Sequence, residues 1–350
     1  MKFNINKSLF KIETNDDFHT KKIKQNKLHD KVLRNFGIKE KYSISIVNKQ
    51  SASSKIYFIK TKKNNYVMRE STSKNSKYLK NQCEAINRMK KSFFFKLKRG
   101  KTGFVYKFKN NFILYEKIKG TIFNGQVSYL NKIFNSIIDL HKDLEKKSIK
   151  NLRLKNKKYR TRQIKKRTIL LTNKNYLKKI CLKKIINKKT KKLIIENIDY
   201  FENCINSVVK FKNTEEKPQV VHADLNHSNF IISKKSIRFI DLENLGYGNF
   251  KVEFAFGIFK ILRHAVFKNK YKLTYINNYS INLINKLIKK NIFINHYEIF
   301  HLCSLRILSN ISLIIYSIFK GEKKYIYDFE KQILNLIELR YIFKLHEFKS

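Results

Sequence analysis

One segment of the chain concentrates the side chains whose types and spacing could do chemistry. Two short apolar strands are predicted at Gln219–His222 and Ser236–Asp241, and a polar loop follows the first of them. The loop presents Asp224 and Asn229, five residues apart, and the second strand ends at Asp241. The sequence therefore predicts that three oxygen-bearing side chains converge from two adjacent strand ends.

Such a set of side chains suits a magnesium site. Mg²⁺ is a hard cation that takes few protein ligands and keeps several phosphate or water oxygens. The set contains one carboxylate more than ligation requires, which suggests a general base. The alternative is an ordinary polar loop in which Asp and Asn side chains form turns. Only nine aspartates occur in the chain and two of them lie here, which favours the chemical interpretation.

The spacing also matches the catalytic loop of protein kinases, H-R-D-L-x-x-x-N, which is followed by a metal-binding Asp. The chain has His222-Ala-Asp224-Leu-Asn-His-Ser-Asn229, with Asp241 beyond a hairpin. Other protein-kinase motifs are missing from the sequence: it has no G-x-G-x-x-G, V-A-I-K, D-F-G or A-P-E. We expect His222 to be a hydrogen-bonded structural histidine rather than an acid or a base.

The segment resembles the aminoglycoside phosphotransferase/choline kinase family of small-molecule kinases. Choline-kinase-like members have H-N-D-L-N-x-x-N-F followed by I-D-W-E or I-D-F-E, and the chain has matching residues at Asp224–Phe230 and Ile240–Glu243. The resemblance implies that Asp224 is the catalytic base or orients the attacking hydroxyl. It also implies that Asn229 and Asp241 bind Mg²⁺.

The resemblance extends to the predicted nucleotide site. Tyr66-Val-Met-Arg69 is similar to the family's Y-V-L-R strand, which implies that Arg69 contacts the phosphates of ATP. Glu84 lies 15 positions later, where the family places the carboxylate that pairs with this base. The segment Ile113–Gly120 resembles the hinge, so the backbone at Glu116 and Ile118 is expected to hold adenine.

The family's glycine-rich phosphate loop corresponds here to Lys49–Ser54, which contains no glycine. The backbone around Ser51 and Ser53 is expected to cap phosphates, because N–H groups of a loop of small residues can still bind anions. Ala223 and His227 also depart from the family pattern, which has Gly or Asn at the first position and Pro at the second.

The acceptor of the phosphoryl group is less well defined by the sequence. The D-L-N-x-x-N-F and I-D-x-E forms favour a choline-like amino alcohol, ahead of amino sugars, sugars or homoserine. Glu243 and Tyr247 are the candidate substrate residues. Phe250 and Phe254 with Tyr247 could face a quaternary ammonium by cation–π attraction, although core packing at the start of a helix is the better interpretation for each ring.

The predicted fold class is α+β, with the two-lobed architecture of protein kinases. The expected N-terminal nucleotide-binding lobe spans 1–118, with a loose arm over 1–25, and is an antiparallel sheet with one inserted helix. The expected helical catalytic and substrate lobe spans 119–350 and carries a basic insertion at about 146–192. The predicted elements are helices at Lys27–Gly37, Lys77–Lys91, Val127–Leu144, Leu193–Phe211, Tyr271–Ile294 and Tyr297–Phe319, and N-lobe strands starting at Tyr42, Ser54, Asn65, Gly103 and Phe112.

Net charge is the most conspicuous property of the composition. With 77 Lys+Arg against 26 Asp+Glu, the chain carries a formal charge of +51. Only twelve of the basic residues are arginines, and the excess of lysine, asparagine and isoleucine is typical of A/T-rich codons, so drift explains most of it. Residues 146–192 contain 21 Lys+Arg and no acid. They are interpreted either as a solvated insertion or as a surface that binds a polyanion.

This leaves an alternative function, a kinase-like scaffold that binds RNA or another polyanion without turnover. A nucleic-acid partner is not favoured, because Asp224, Asn229 and Asp241 are all retained.

The four cysteines form no C-x-x-C pair, so a disulfide framework or zinc site is not expected. No membrane span is expected, because the most apolar stretch, Ile307–Phe319, is short and suits a buried helix. The predicted location is cytoplasmic.

Overall fold

The structure is a computed structural model, and it describes eleven stretches of the chain. These are residues 20–47, 54–71, 107–109, 112–146, 155–156, 174–210, 219–233, 236–241, 245–269, 273–321 and 326–343. Its architecture is two-lobed and α+β, with an antiparallel-sheet region followed by a mainly helical one. The predicted fold class is therefore confirmed.

The N-terminal lobe is built on a six-stranded antiparallel sheet with the order β1-β2-β3-β4-β6-β5. Along Ser54–Thr61 the burial alternates as expected for a strand with one covered face, since Tyr57, Ile59 and Thr61 are buried and the residues between them are not. The strands of the sheet are β1 (Thr20–Lys22), β2 (Tyr42–Val47), β3 (Ser54–Thr61), β4 (Asn65–Ser71), β5 (Lys107–Lys109) and β6 (Phe112–Glu116).

The first strand corrects the expected loose arm at its C-terminal end, while residues 1–19 lie outside the described residues. Thr20–Lys22 pairs with β2, Thr20 opposite Val47 and Lys22 opposite Ser45, so these residues belong to the sheet. All three side chains are exposed and two of them are lysines, which is why hydrophobic pattern did not predict an edge strand here.

Helix α1 (Lys27–Asn35) covers one face of the sheet and closely matches its prediction. The Asn26 side chain accepts a hydrogen bond from the His29 N–H, 2.8 Å away, and so caps the helix N-terminus. At the other end Gly37 takes a φ of +85°, the left-handed conformation that glycine adopts without strain. The helix buries Val32, Leu33 and Phe36 against the sheet residues Ile44, Tyr57, Ile59, Met68, Phe112 and Leu114.

The chain leaves this sheet through residues 117–120 and returns beside the predicted catalytic segment. Strand β7 (Thr121–Ile122) pairs with Ile231 and Ile232. Gly120 has a φ of +146°, and a Cβ there would lie 2.6 Å from the Ile232 carbonyl oxygen. The close approach of the two backbones therefore requires glycine at this position.

The second lobe packs its helices around one large apolar core. A 3₁₀ turn at Val127–Tyr129 leads into the first of them. The helices are α2 (Leu130–Lys146), α3 (Lys174–Leu182), α4 (Lys188–Glu196), α5 (Ile198–Lys210), α6 (Phe250–Lys268), α7 (Leu273–Lys289), α8 (His296–Phe319) and α9 (Ile326–Ile342). Two three-stranded sheets, β11-β10-β7 and β8-β12-β9, lie among them. Their strands are β8 (Lys155–Asn156), β9 (Gln219–Val221), β10 (Phe230–Ile232), β11 (Ile237–Phe239) and β12 (Gly246–Gly248).

The basic segment differs from its prediction where the structure describes it. Residues 174–192 are not a solvated insertion, because they form α3 and most of α4 and bury Leu177, Ile180 and Ile186 in the core. The helix predicted at Leu193–Phe211 is two helices, since the chain breaks at Asn197. The Asn197 side-chain amide donates to the Leu193 carbonyl, 2.8 Å away, a local bond that competes with continued helix.

Helix α8 is long and apolar enough to cross a membrane by length and composition. However, 61% of its most apolar window is buried inside the fold. This matches the expectation that the stretch Ile307–Phe319 is a buried helix of the core.

One buried ion pair ties the long helices of the second lobe together. The Arg263 Nη2 of α6 lies 3.3 Å from the Glu338 Oε1 of α9, and the Arg263 Nε also donates to this carboxylate. Both side chains are almost fully buried. Loss of one partner from such a pair leaves an uncompensated charge in a medium of low dielectric constant.

We therefore predict that Arg263→Met lowers the free energy of unfolding by about 3–5 kcal/mol, because it removes the guanidinium group that faces the buried Glu338 carboxylate. The double variant Arg263→Met/Glu338→Leu should recover most of that loss, since it removes both charges. Urea denaturation followed by circular dichroism measures both values. A double variant no more stable than the single one would contradict this account of the pair.

Candidate active site

The predicted catalytic segment is positioned by two strand ends that meet in one hydrogen-bonded unit. Strand β9 delivers His222 and Asp224, and the hairpin of β10 and β11 delivers Asn229 and Asp241. The Ile240 N–H donates to the Asn229 carbonyl oxygen, 3.0 Å away, which extends the hairpin beyond its last paired residues. The two predicted metal ligands therefore leave the same end of the hairpin.

A buried carboxylate from α6 holds the start of the loop. The His222 N–H donates to the Glu253 Oε2 at 3.1 Å, and the Ala223 N–H donates to the Glu253 Oε1. Both oxygens of one carboxylate are thus engaged by successive backbone donors. Asn249 caps α6 by accepting from the Val252 N–H at 3.1 Å, which places Glu253 in the first turn of the helix.

Ala223 takes a left-handed backbone conformation to present these donors. Its φ is +69°, which costs an L-residue with a side chain roughly 1–2 kcal/mol. The structure thus gives a physical reason for Gly or Asn at this point in the family pattern, because both tolerate this conformation.

Asp224 is held by two amides. The Asn226 Nδ2 donates to its Oδ1 at 3.0 Å, and the Asn229 Nδ2 lies 3.2 Å from its Oδ2 and 2.9 Å from its carbonyl oxygen. Asn226 also caps the 3₁₀ turn at His227–Asn229 by accepting from the Ser228 N–H. These bonds fix the orientation of the Asp224 carboxylate, which is half-buried.

Asp241 forms an ion pair with Arg69, the basic residue predicted to contact nucleotide phosphates. The Arg69 Nη1 lies 2.6 Å from the Asp241 Oδ1, so strand β4 of the N-terminal lobe is joined to the catalytic segment. The Arg69 side chain is 13% exposed and that of Asp241 is 28% exposed. Asp241 also has a φ of +61°, a strained conformation of the kind that clusters at functional sites.

These residues fit a magnesium ion chemically. The side-chain nitrogen of Asn229 donates to Asp224. The side-chain oxygen of Asn229, Oδ1, is therefore the atom suited to a hard cation. Among the residues that the structure describes, no group of three or more His, Cys, Asp or Glu side chains could hold a metal ion. A site of one carboxylate and one amide suits Mg²⁺, which keeps phosphate or water oxygens for its remaining positions.

Two buried histidines, His141 and His222, lie beside the loop. The His222 Nε2 lies 2.8 Å from the Ile240 carbonyl oxygen, so this nitrogen carries the proton and bridges the two strand ends. Burial, and to a smaller extent the neighbouring His222, lower the pKa of His141 to about 3. The contact of 3.6 Å between the His141 Nε2 and Glu253 is therefore not an ion pair at neutral pH.

The remaining predicted residues fall into two groups. Glu116 ends β6 opposite Tyr66, and Ile118 is buried two residues later, so both lie in the segment that connects the lobes. Ser51, Ser53, Glu84 and Glu243 lie outside the described residues, as do the helix predicted at Lys77–Lys91 and most of residues 146–173.

The aromatic residues near the site differ in how deeply they are buried. Phe254 is fully buried against Phe134 and Phe293, so its cation–π role is excluded and core packing is confirmed. Phe250 packs on His141, with ring centroids 5.5 Å apart. Tyr247 is half-buried on β12, opposite Val220 of β9.

Sequence reasoning did not assign a role to Glu253 or Asn226. The available signal was that Glu253 is the one acidic residue of Phe250–Lys268 and lies in the first turn of that helix. A lone acid on such a helix needs a partner when it is buried. Asn226 was part of the matched motif, but only the fold shows that it binds Asp224.

Comparison with known proteins supports the architecture. No family model and no curated protein matches the sequence. Among solved structures, spectinomycin phosphotransferase APH(9)-Ia in complex with ADP and spectinomycin matches with a TM-score of 0.58 and 11% identity, covering 92% of this chain and 99% of that chain. A GDP and kanamycin complex of APH(2")-IIia matches with a TM-score of 0.53 and 12% identity, covering 90% and 99%.

A choline kinase from Cryptosporidium parvum matches with a TM-score of 0.52 and 13% identity, covering 92% of this chain and 97% of that chain. All of these identities are low, so what they establish is the fold. The chain has the two-lobed fold of aminoglycoside phosphotransferases and choline kinases over nearly its whole length.

The backbone strain at residue 223 generates one prediction. Ala223→Gly should raise the free energy of unfolding by about 0.5 kcal/mol, since relief of roughly 1–2 kcal/mol exceeds the entropic cost of glycine. The matched control is Ala265→Gly, the same change within α6, which should cost about 1 kcal/mol or more. Thermal unfolding of both variants measures the difference. Equal destabilisation by the two changes would show that no strain is stored at Ala223.

The buried histidine generates a prediction on pH. Because the pKa of His141 is about 3 in the folded chain and about 6.5 when exposed, the unfolded chain binds its proton first as pH falls. Stability should therefore decline below pH 6.5, with His141 contributing up to about 1.4 kcal/mol per pH unit. Urea denaturation at pH 7 and pH 5 should show a shallower decline for His141→Phe than for wild type. Parallel declines would contradict the neutral state of His141.

Proposed function

We propose that the chain is an ATP-dependent phosphotransferase that moves the γ-phosphoryl group to a hydroxyl of a small molecule. One observation carries this proposal: the Arg69–Asp241 ion pair joins the sheet lobe to a loop in which two amides orient the Asp224 carboxylate. An ordinary polar loop would not need an ion pair between one of its carboxylates and an arginine of the other lobe. The nucleotide complexes of proteins with the same fold support the same conclusion.

In the proposed reaction, Asp224 accepts a hydrogen bond from the acceptor hydroxyl and takes its proton as the oxygen attacks the γ-phosphorus. The bond between the γ-phosphorus and the bridging oxygen breaks, and ADP leaves. The two amides that hold the carboxylate keep it oriented for this role. Such positioning supplies a large part of catalysis in phosphoryl transfer, because the protein does little covalent chemistry.

The nucleotide would lie between the lobes. Asn229 and Asp241 would hold Mg²⁺, which neutralises charge on the phosphates when it is bound. Arg69 adjoins Asp241 and brings a permanent positive charge to the same place. The backbone at Glu116 and Ile118 would hold adenine, and residues around Ser51 and Ser53 would cap the phosphates. Glu84 is proposed as a second partner of Arg69.

For the acceptor we favour a choline-like amino alcohol, followed by an amino sugar, a sugar or homoserine. The sequence pattern around Asp224 and Ile240–Glu243 supports this order. Tyr247 and Glu243 are the proposed substrate residues, and the half-buried position of Tyr247 beside β9 is compatible with a ring facing the cleft. Phe254 is not proposed as a substrate residue, because its side chain lies in the core.

The function is tested by incubating the purified chain with Mg²⁺, γ-labelled ATP and a panel of hydroxyl acceptors from these four classes. We predict label transfer to at least one acceptor, and a loss of about a hundredfold or more in Asp224→Ala, since general base catalysis supplies 10²–10⁴-fold. Asp241→Ala should also lose transfer, with weaker Mg²⁺-ATP binding. The matched control is Asp199→Ala, an exposed aspartate on α5, which should keep full activity.

Two outcomes would contradict the proposal. One is the absence of any ATP binding at millimolar concentration in a chain that melts cooperatively. The other is transfer that survives in both Asp224→Ala and Asp241→Ala, because the chemistry would then lie elsewhere.

A further inference from the structure

Two helices of the second lobe expose large apolar side chains on neighbouring surfaces, which the proposed function does not use. On α8, Tyr316 is 47% exposed, Leu313 44% and Phe319 39%. On α3, Leu182 is 79% exposed. The Tyr176 ring of α3 contacts the Phe319 ring of α8, with centroids 6.2 Å apart, so the two helices form one continuous surface.

Lysines are interleaved with these rings. The Lys179 Nζ lies 5.4 Å from the Tyr176 ring centroid, and the Lys183 Nζ lies 5.7 Å from that of Phe319. The Lys320 Nζ lies 4.4 Å from the centroid of Tyr316. We define the lysine–aromatic face as Tyr176, Lys179, Leu182 and Lys183 of α3 and the turn after it, with Leu313, Tyr316, Phe319 and Lys320 at the end of α8.

The charge of this region has one sign. Residues 174–195 contain nine lysines and no acidic residue, and they span α3 and nearly all of α4. The carboxylate of Glu330 neutralises Lys189 at 3.1 Å, and Lys189 lies outside the face. The face therefore combines a positive potential with exposed apolar area, and each component attracts a different part of an anionic partner.

We propose that the lysine–aromatic face docks the protein on an anionic membrane surface. Lysines near a bilayer contact acidic headgroups, while aromatic and aliphatic side chains enter the boundary between headgroups and acyl chains. The long lysine stems let the ammonium groups move from the rings to the phosphate level while the rings lie deeper. The attachment is peripheral, because α8 keeps most of its apolar surface inside the fold.

The composition of the face favours a membrane over single-stranded nucleic acid. Nucleic-acid sites present aromatic faces on which bases stack. Here one face of each of the three rings is occupied by a lysine ammonium group. Leu182 and Leu313 are aliphatic and cannot stack on a base, but they partition readily into a lipid interface.

The test is flotation of the purified full chain with vesicles of phosphatidylcholine alone and with vesicles that contain 30% phosphatidylserine, at about physiological ionic strength. We expect binding to the anionic vesicles only. Lys179→Gln/Lys183→Gln should weaken it by about tenfold or more, since each lysine near the surface contributes about fivefold. Leu182→Gln should also weaken it, because it leaves the charge unchanged and removes apolar area. Equal melting temperatures confirm that the variants fold.

The matched control removes two exposed lysines elsewhere, Lys286→Gln/Lys289→Gln on α7, and should change binding by less than threefold. Equal losses in the two double variants would overturn the proposal, because the net charge of +51 alone would then explain the binding. So would unchanged binding in Leu182→Gln. Absence of vesicle binding, with single-stranded RNA bound through Lys179 and Lys183, would assign the face to nucleic acid instead.

Discussion

The proposed catalytic segment depends on one buried carboxylate. Glu253 accepts the backbone N–H groups of His222 and Ala223, two successive donors that have no strand partner once β9 ends. A buried backbone donor without an acceptor costs about 1–3 kcal/mol. The Glu253 bonds therefore offset the strain at Ala223 and set the direction in which the chain leaves β9. Asp224 is the next residue, so its position follows from this bond.

The same constraint extends to the other lobe through a short series of contacts. Glu253 fixes the start of the loop, and the amides of Asn226 and Asn229 fix Asp224. The backbone oxygen of Asn229 accepts a hydrogen bond from the Ile240 N–H. The next residue, Asp241, forms an ion pair with Arg69 of strand β4. A displacement of α6 would therefore reach both lobes. Glu253, on a core helix, is therefore linked by successive contacts to the proposed site residues on the loops.

Particular residues show what the sequence could and could not predict. The strands that start at Tyr42, Ser54, Asn65 and Phe112 and helix α1 follow from local pattern, and local pattern is what a single sequence contains. The edge strand Thr20–Lys22 and the helices of residues 174–192 did not follow, because tertiary pairing and burial decide them. The partners of Arg69 and Glu253 lie 172 and 31 residues away, and only the fold brings them together.

The Mg²⁺ dependence of ATP binding is the most direct test of the proposal that Asn229 and Asp241 hold a metal–nucleotide. Calorimetric titration of ATP into the chain, with Mg²⁺ and with a chelator, requires no knowledge of the acceptor. Mg²⁺ should tighten ATP binding by about tenfold or more, equivalent to about 1.4 kcal/mol. Glu253→Ala should abolish this gain, because the loop that carries Asp224 loses its support from α6. Equal ATP affinity with and without Mg²⁺ in wild type would contradict the proposal.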